Sequence, residues 1–301
     1  MQTQFQFLRK QNKMKKFFKI IAFLFLGLNF TFAQKIDTSN SWNKNECTVI
    51  QKIPSFTKKG RMFVFWGWNR GFFTRSDIHF KGADYDFVLH DVVARDRPSD
   101  LSWDYINPGE VSIPQFNFRL GYFLKDNLAL VIAQDHMKYV MDQDQTVKLT
   151  GKIGNPTYAA MVSNGEVNLK DEKFLTFEHT DGLNYVNAGL EKYKTLSSKK
   201  NVDIVWSYGG GVGVMFPKSN VKLFGNERSD RFHVAGFGAD ARTNINFIFW
   251  KHWMLRVEGK YGYINMFDIK TTLNNNPDKA MQDFLYAQIN AGIGYTFNTK
   301  K

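Results

Sequence analysis

The chain has 301 residues and a net charge of +12, from 40 Lys and Arg against 28 Asp and Glu. Its first 33 residues hold six basic side chains and no acidic ones, so the rest of the chain has a net charge of only +6, and its basic residues are scattered. Nucleic-acid binding needs a clustered cationic face, so we do not expect nucleic acid as a partner.

The first 33 residues have the three parts of a secretory signal peptide. Basic residues from Arg9 to Lys19 are followed by the apolar run from Ile20 to Leu28, and the segment then ends in small residues at Ala33. We predict cleavage after Ala33 and export of the remaining chain.

Residues 34–60 are predicted to form a periplasmic linker, because the stretch from Asn43 to Lys52 is polar. Cys47 lies in this stretch. Because it is the chain's one cysteine, it has no partner for an intramolecular disulfide. We interpret it as a free or intermolecular thiol without a catalytic role.

Aromatic residues make up 16% of the chain, yet no segment after residue 33 has 18 consecutive apolar residues. A helical membrane span is therefore not expected. A closed β-sheet is the other structure that satisfies every backbone group in a bilayer, and its outer surface and interface belts are rich in aromatic side chains.

The hydrophobic pattern from residue 61 to residue 297 has a period of two. Polar or small residues alternate with apolar ones in eight segments of about ten residues, which begin near Arg61, Gln115, Leu128, Tyr185, Asp203, Gly236, Leu255 and Gln288. This repeat is typical of transmembrane β-strands. We therefore predict an all-β fold, a transmembrane antiparallel β-barrel of about eight strands over residues 61–297.

The connections alternate between short and long. Residues 125–127 and 250–253 are predicted tight turns and residues 193–201 a moderate one, whereas residues 75–111, 142–173, 216–231 and 267–282 are predicted loops. Barrels of this kind have short periplasmic turns and long extracellular loops. The first loop is predicted to contain a hairpin, with strands at residues 78–80 and 85–93.

The last strand carries a further pattern. Asn290, Gly292, Tyr295 and Phe297 resemble the terminal signal by which the barrel-assembly machinery recognises outer-membrane barrels. With the eight segments, the chain resembles the small OmpA-like and OmpW-like barrels of the porin-like superfamily. The resemblance implies an outer-membrane location in a Gram-negative cell, with membrane lipid, lipopolysaccharide and the assembly machinery as partners.

An eight-stranded barrel has room inside only for side chains. Single buried charges are costly, so we predict that the inward charged residues form a paired network and that an open channel is absent. The predicted network consists of Arg119, Asp135, Glu191, Asp203, Asp240, Arg242, Arg256, Glu258 and Lys260.

One segment supports an enzymatic alternative. His179 and Asp181 are predicted to share the inward face of the fifth strand, and Ser207 on the next strand is the only inward hydroxyl that could take the place of the missing serine. Histidine with a hydroxyl and a carboxylate can perform acyl transfer. The segment faintly resembles the outer-membrane lipid A deacylase barrels, although Asp181 stands where they would have serine. We favour a structural role and expect no hydroxyl close to His179.

Two other patterns are weighed and set aside. Asp77, His79, Asp84 and Asp86 lie in the first predicted loop, where they are interpreted as a solvated acidic hairpin, with a Ca²⁺ site as the alternative. The glycine-rich segment from Gly209 to Gly213 lies inside a strand without a following helix, so it is not a nucleotide loop. No cofactor is expected.

These observations favour a non-enzymatic barrel that acts in membrane structure, surface binding or passage of small apolar molecules. The alternative is an outer-leaflet lipid hydrolase centred on His179.

Overall fold

Alternating apolar and polar residues form antiparallel strands in the computed structural model. The structure describes residues 55–98, 115–227, 231–273 and 278–298. The predicted signal peptide, most of the predicted linker and Cys47 lie outside these residues. Within the described residues no helix is long and apolar enough to cross a bilayer.

Fifteen strands, one 3₁₀ turn and one short helix make up the described residues. The strands are β1 (Arg61–Phe73), β2 (Ser76–Lys81), β3 (Tyr85–Val92), β4 (Ala94–Arg95), β5 (Phe116–Lys125), β6 (Leu128–Met141), β7 (Thr146–Ile153), β8 (Val162–Ser163), β9 (Glu166–Asn168), β10 (Leu175–Ser198), β11 (Val202–Met215), β12 (Asn220–Leu223), β13 (Gly236–Phe249), β14 (Trp253–Lys270) and β15 (Lys279–Asn298). The 3₁₀ turn is Ser55–Thr57, and the helix α1 is Pro156–Ala159.

Eight long strands close into a barrel, as predicted. Their order around the ring is β1, β5, β6, β10, β11, β13, β14 and β15, and β15 pairs with β1 to close it. All of these pairings are antiparallel. The short turns lie at one end of the barrel, here called the turn end, and the long connections lie at the other, called the loop end.

The alternation separates an apolar outer wall from a filled interior. On β14, Arg256 and Glu258 point inward and are buried, while Leu255, Val257 and Tyr261 point outward and are exposed. Large outward apolar side chains recur on the other barrel strands, for example Leu130 and Val212. An apolar exterior around a polar interior is the architecture of a transmembrane barrel.

Three layers fill the lumen. At the turn end an apolar cluster contains Phe63, Phe123 and Tyr193. Charged side chains occupy the middle, and a larger apolar cluster fills the loop end, where Tyr139 and Phe284 stack with their ring centroids 5.1 Å apart. The barrel is therefore packed along its length in the described residues.

The predicted linker does not end where the barrel begins. Phe56, in the 3₁₀ turn, is fully buried in the turn-end cluster, with its ring 5.4 Å from that of Phe123. The last residues of the predicted linker are thus part of the barrel interior. The ring of Phe56 covers the apolar residues of β1 and β5 at the turn end.

The turns and loops differ from the prediction in several places, because some predicted loop residues form strands. The turns at residues 126–127 and 250–252 are as predicted, but residues 193–198 continue β10, so that turn is only residues 199–201. The predicted hairpin of the first loop is present as β2 and β3, and it pairs with β15 and with β7, which lies in a predicted loop. The barrel wall therefore extends into a sheet at the loop end.

Candidate functional site

The middle layer of the lumen joins most of the predicted charged residues. Arg119 Nη2 lies 2.7 Å from Asp135 Oδ1 and 2.8 Å from Glu258 Oε1. Arg256 Nη2 lies 3.0 Å from Glu258 Oε2 and 2.8 Å from Glu191 Oε1. Each arginine thus bridges two carboxylates.

Three further charges complete this layer. Arg242 Nε donates to Asp240 Oδ1 at 2.8 Å, and its Nη1 lies 3.8 Å from Glu191. Lys260 Nζ forms an ion pair with Asp135. The network therefore has four cations and four carboxylates, and its charges balance. The side chains are Arg119, Arg242, Arg256, Lys260, Asp135, Glu191, Asp240 and Glu258.

Neutral groups also bind these carboxylates, and the sequence prediction omits them from the network. Asn290 Nδ2 donates to Glu258 at 2.6 Å, and Tyr193 Oη donates to Glu191 at 2.7 Å. In the alternation along each strand, Asn290 and Tyr193 occupy inward positions, as the charged residues do. This alternation is the sequence signal that could have identified them. Hydrogen bonds of this kind are needed to offset the desolvation of buried charges.

One predicted member, Asp203, is not part of the network. Its carboxylate accepts a hydrogen bond from Ser198 Oγ at 2.6 Å at the turn end. Val205, two residues further along the same strand, already lies in the turn-end apolar cluster. That cluster separates Asp203 from the middle layer, so the inward parity of Asp203 does not bring it to the other charges.

The terminal-strand residues divide between two structural roles. Asn290 belongs to the lumen, and Gly292 lies against β1, where a Cβ atom would be only 2.3 Å from Gly67 Cα. Tyr295 and Phe297 point outward at the turn end, and Tyr295 makes an edge contact with Trp253 at 5.2 Å. In the structure, Gly292 thus lies where the ring closes, and Tyr295 and Phe297 lie on the outer surface of the barrel.

The histidine of the enzymatic alternative has a different partner from those predicted. His179 Nδ1 lies 2.8 Å from Ser219 Oγ, in the residue before β12, and both side chains are buried. The expectation that no hydroxyl lies close to His179 is therefore wrong. Because β12 pairs with the start of β10, it brings Ser219 to the histidine. Alternation of Val221 and Leu223 with polar residues is the signal for this strand inside a predicted loop.

Among the described residues, neither predicted partner, Asp181 or Ser207, is hydrogen-bonded to His179. The pairing of β10 with β6 shifts register between His179 and Leu183, and Gly182 has a φ of +132°. Asp181 therefore leaves the inward face, and its carboxylate lies 3.6 Å from Lys218 Nζ. Ser207 pairs with Tyr193, fourteen residues further along β10, and bonds to Asn244 at 2.9 Å in the lumen.

His179 lies opposite Tyr139 on β6, and it lies beyond the apolar band, since Val186 is the exposed large apolar residue of β10 nearest the loop end. Its ring is fully buried, and burial lowers the pKa of His179 to about 3. Its Nε2 has no hydrogen-bond partner among the described residues. His179 is therefore a neutral imidazole at neutral pH, without the carboxylate that orients the general base of a catalytic triad.

A narrow recess opens beside Ser219 at the loop end. Its polar lining consists of Ser219, Arg231, His233, Asp268 and Lys270. His233 Nε2 lies 2.7 Å from Asp268 Oδ2, and Lys270 Nζ donates to Asp268 Oδ1 at 3.0 Å. Partial burial of Asp268 would raise its pKa, but the bonds from Lys270 and His233 hold the pKa of Asp268 below its usual value. The carboxylate is therefore ionised, and it holds Lys270 and His233 in place at the recess.

The acidic residues of the first hairpin form two separate pairs. His79 Nε2 lies 2.6 Å from Asp86 Oδ1, and His90 Nδ1 lies 2.8 Å from Asp77 Oδ2. Asp84 contributes its backbone carbonyl, which accepts from Gly154 N. Among the described residues no three His, Cys, Asp or Glu side chains converge as metal ligands. The hairpin thus presents histidine–aspartate pairs to solvent.

Comparison with known proteins gives matches to structures alone. No protein-family model and no curated protein matches the chain. The chain is similar to the outer membrane protein OprG from Pseudomonas aeruginosa, with 9% identity and a TM-score of 0.40 over 80% of this chain and 98% of that one. It is also similar to the outer membrane protein AlkL in lipid bilayers, with 10% identity and a TM-score of 0.37 over 89% of this chain and 98% of that one. A third match is Ail of Yersinia pestis in complex with a heparin analogue, with 10% identity and a TM-score of 0.31 over 79% of this chain and 99% of that one.

Proposed function

We propose that the protein is a sealed outer-membrane barrel that acts by binding lipids or other ligands at its loop end, rather than by forming a pore. The loop end faces outward in this proposal, since barrels of this class have their long loops outside the cell. The roles that we propose are non-enzymatic: the protein contributes to membrane structure and binds ligands at the cell surface.

One observation carries this proposal. The side chains of Arg119, Glu258 and Arg256 are 0% exposed to solvent although they lie in the middle of the lumen. A water-filled channel through this layer would wet the charges that line it. The apolar layers above and below the network support the same conclusion, because each fills the lumen at its own level.

The sequence also allows passage of small apolar molecules. This activity would require the side chains that fill the loop end to rearrange. Side chains such as Tyr139, Phe177 and Phe284 are buried against one another at the loop end. An apolar solute would have to displace them before it reached the lumen. Surface binding needs no such rearrangement and is therefore the activity we propose.

Two measurements test the sealed barrel. The exported protein is expected to fractionate with outer membranes and to migrate differently on gels before and after heating, because a closed sheet resists detergent until heated. In planar bilayers it is expected to show no steady conductance. A heat-insensitive band would contradict the barrel, and steady conductance from a heat-modifiable sample would contradict the sealed lumen alone.

The second candidate function is lipid ester hydrolysis, and it rests on the bond between His179 and Ser219. The 2.8 Å distance is that of a nucleophile and its general base, and Ser219 also lines the narrow recess. Two observations favour the structural role: burial lowers the pKa of His179, and the imidazole lacks an orienting carboxylate. A general base works best with a pKa near the working pH. An assay of fatty-acid release by wild-type protein and Ser219→Ala separates the two.

A further inference from the structure

We propose that the outer wall of the turn end binds the headgroup of an anionic phospholipid in the periplasmic leaflet, at a site formed by Lys192 and Lys194 of β10. The proposed function concerns the loop end, so this inference goes beyond it. The two share only the outer-membrane barrel with its loop end outside the cell. In that orientation the short turns lie at the periplasmic face of the membrane.

The turn end carries the excess positive charge of the barrel. The charges balance in the middle layer, and among the described residues the loop end has nearly equal numbers of acidic and basic side chains. The described residues of the turn end instead include nine basic side chains and two acidic ones. A surface of anionic lipid headgroups is therefore attracted to this end. The basic residues are Lys58, Lys59, Arg61, Lys125, Lys192, Lys194, Lys199, Lys200 and Lys251.

The two carboxylates of the turn end are engaged in the turns themselves. Asp126 Oδ1 accepts a hydrogen bond from Lys59 N at 2.7 Å. Asp203 Oδ1 accepts one from Ser198 Oγ at 2.6 Å. Each carboxylate thus fixes a turn by binding a neutral donor, and the positive charge of the turn end is left available to an external anion.

Lys192 and Lys194 point to the membrane side of the wall. The alternation along β10 places both of them on the same face as the exposed Leu190 and Leu196. Their aliphatic stems can lie along this apolar surface while the ammonium groups reach the lipid headgroups. Two residues on one face of a strand are about 7 Å apart, so both ammonium groups can contact one phosphate.

Aromatic residues on the adjacent strand mark this level as the membrane interface. Lys192 pairs with Tyr208 of β11, and Lys194 pairs with Trp206. The two rings lie with their centroids 4.9 Å apart, and Trp206 Nε1 donates to Thr243 Oγ1 at 2.8 Å. Tryptophan and tyrosine form belts where the wall of a barrel meets the headgroups. The lysines therefore lie where lipid phosphates are found.

The wall has a shallow furrow next to the lysines, one step towards the bilayer midplane. Gly210 of β11 pairs with Leu190 on one side and with Ala241 of β13 on the other. On the same outward face, Gly210 lies between Tyr208 and Val212, which are 41% and 69% exposed. An acyl chain fits along this low surface while its headgroup contacts the lysines, because cations and furrow share one face.

This order of groups favours a phospholipid over a soluble anion. A phospholipid has its phosphate at the interface and its acyl chains towards the midplane, and the lysines and the furrow follow the same sequence along the wall. A soluble phosphate would contact the lysines alone.

The test is native mass spectrometry of the full exported chain in detergent, titrated with phosphatidylglycerol or with phosphatidylcholine of the same acyl chains. The variant that removes the site is Lys192→Gln/Lys194→Gln. Two control variants cause the same change in net charge elsewhere. They are Lys199→Gln/Lys200→Gln in the turn after β10 and Lys148→Gln/Lys152→Gln on β7.

Wild type and both controls are expected to bind phosphatidylglycerol more tightly than phosphatidylcholine. In Lys192→Gln/Lys194→Gln the affinity for phosphatidylglycerol should fall about tenfold, because two cationic contacts at the membrane surface are lost. The affinity for phosphatidylcholine should change little. Excess soluble glycerol phosphate should not displace phosphatidylglycerol, because it has no acyl chain to place in the furrow.

Each other outcome overturns a part of the proposal. Unchanged phosphatidylglycerol affinity in Lys192→Gln/Lys194→Gln would overturn the site, and an equal loss in either control would replace it with a diffuse charge effect. Displacement by glycerol phosphate would overturn the assignment to a lipid. Heat-modifiable migration shows that the barrel of each variant is intact, and conductance tests the sealed lumen separately, so failure of this site is distinguished from failure of the proposed function.

Discussion

The guanidinium of Arg119 on β5 lies 2.8 Å from the carboxylate of Glu258 on β14, although 139 residues separate them. In the ring, β15 and β1 stand between these two strands, so the bond crosses the lumen instead of following the wall. The two residues tie opposite sides of the barrel together at the level of the bilayer.

Removal of one member of this pair is expected to destabilise the barrel strongly. Arg119→Met or Glu258→Gln leaves an unpaired or unbalanced buried charge, which costs about 3–5 kcal/mol. The double variant should lose less than the sum of the two single losses, because the residues are in contact. Urea unfolding in lipid vesicles measures these energies, and Asp203→Asn, outside the network, is the control with little effect. Additive losses would contradict the contact.

A charge on the outer wall is expected to be costly near the bilayer midplane. Val257→Arg should destabilise the barrel by about 2–4 kcal/mol, because Val257 is an exposed residue of β14 between Arg256 and Glu258 of the middle layer. Leu196→Arg, near the turn end of β10, should cost only about 0–1 kcal/mol, since the penalty falls towards the interface. The same unfolding assay compares them. Equal costs would show that the apolar band is placed at the wrong height.

The loop end is expected to lose stability in mild acid through His179. The unfolded chain takes up a proton below a pKa of 6.5, whereas in the folded protein the pKa of His179 is about 3. Its contribution is therefore fully present above pH 6.5 and declines as the pH falls towards 3. At pH 5 the loss is about 2 kcal/mol. Hydrogen exchange at the start of β10 measures it, and His179→Gln should show a smaller pH dependence between pH 7 and pH 5. An identical pH dependence in the variant would contradict the buried neutral imidazole.

The serine beside this histidine is expected to have a structural effect. Ser219→Ala removes the hydroxyl at 2.8 Å and should lower stability by about 1 kcal/mol, because His179 Nδ1 is left without this partner. Thermal unfolding in detergent measures the change, and Ser163→Ala, on β8 at an exposed position, is the control. A loss of fatty-acid release by orders of magnitude at unchanged stability would instead establish Ser219 as a nucleophile.

Much of the barrel was predictable because a period of two is a strong local signal. The inward and outward faces of β14 follow from alternation alone, and so does the inward position of Arg256 and Glu258. Alternation does not give the height of a residue in the barrel. Asp203 has the inward parity but lies beyond the turn-end cluster, so its exclusion from the network depends on pairing between distant strands.

The candidate site was predictable only in part because a local irregularity interrupts the pattern. The register of β10 shifts between His179 and Leu183, and parity counted across this shift places Asp181 on the wrong face. The recess combines Ser219 and His233, which lie on either side of β12, with Asp268 near the end of β14. No sequence periodicity links such residues, since only the closure of β13 and β14 brings them together.

The pairing of β15 with β1 has a consequence for biogenesis. Arg61 pairs with Asn298, so the ring closes only between the beginning and the very end of the described barrel. Until the last strand has been synthesised and delivered, the remaining strands have two open edges with unpaired backbone groups, which attract other chains and promote aggregation. Such sequence-distant pairing also forms slowly. For the proposed route to the outer membrane, we expect the complete polypeptide to be kept soluble and unpaired before insertion, and a chain truncated before β15 to be degraded rather than assembled.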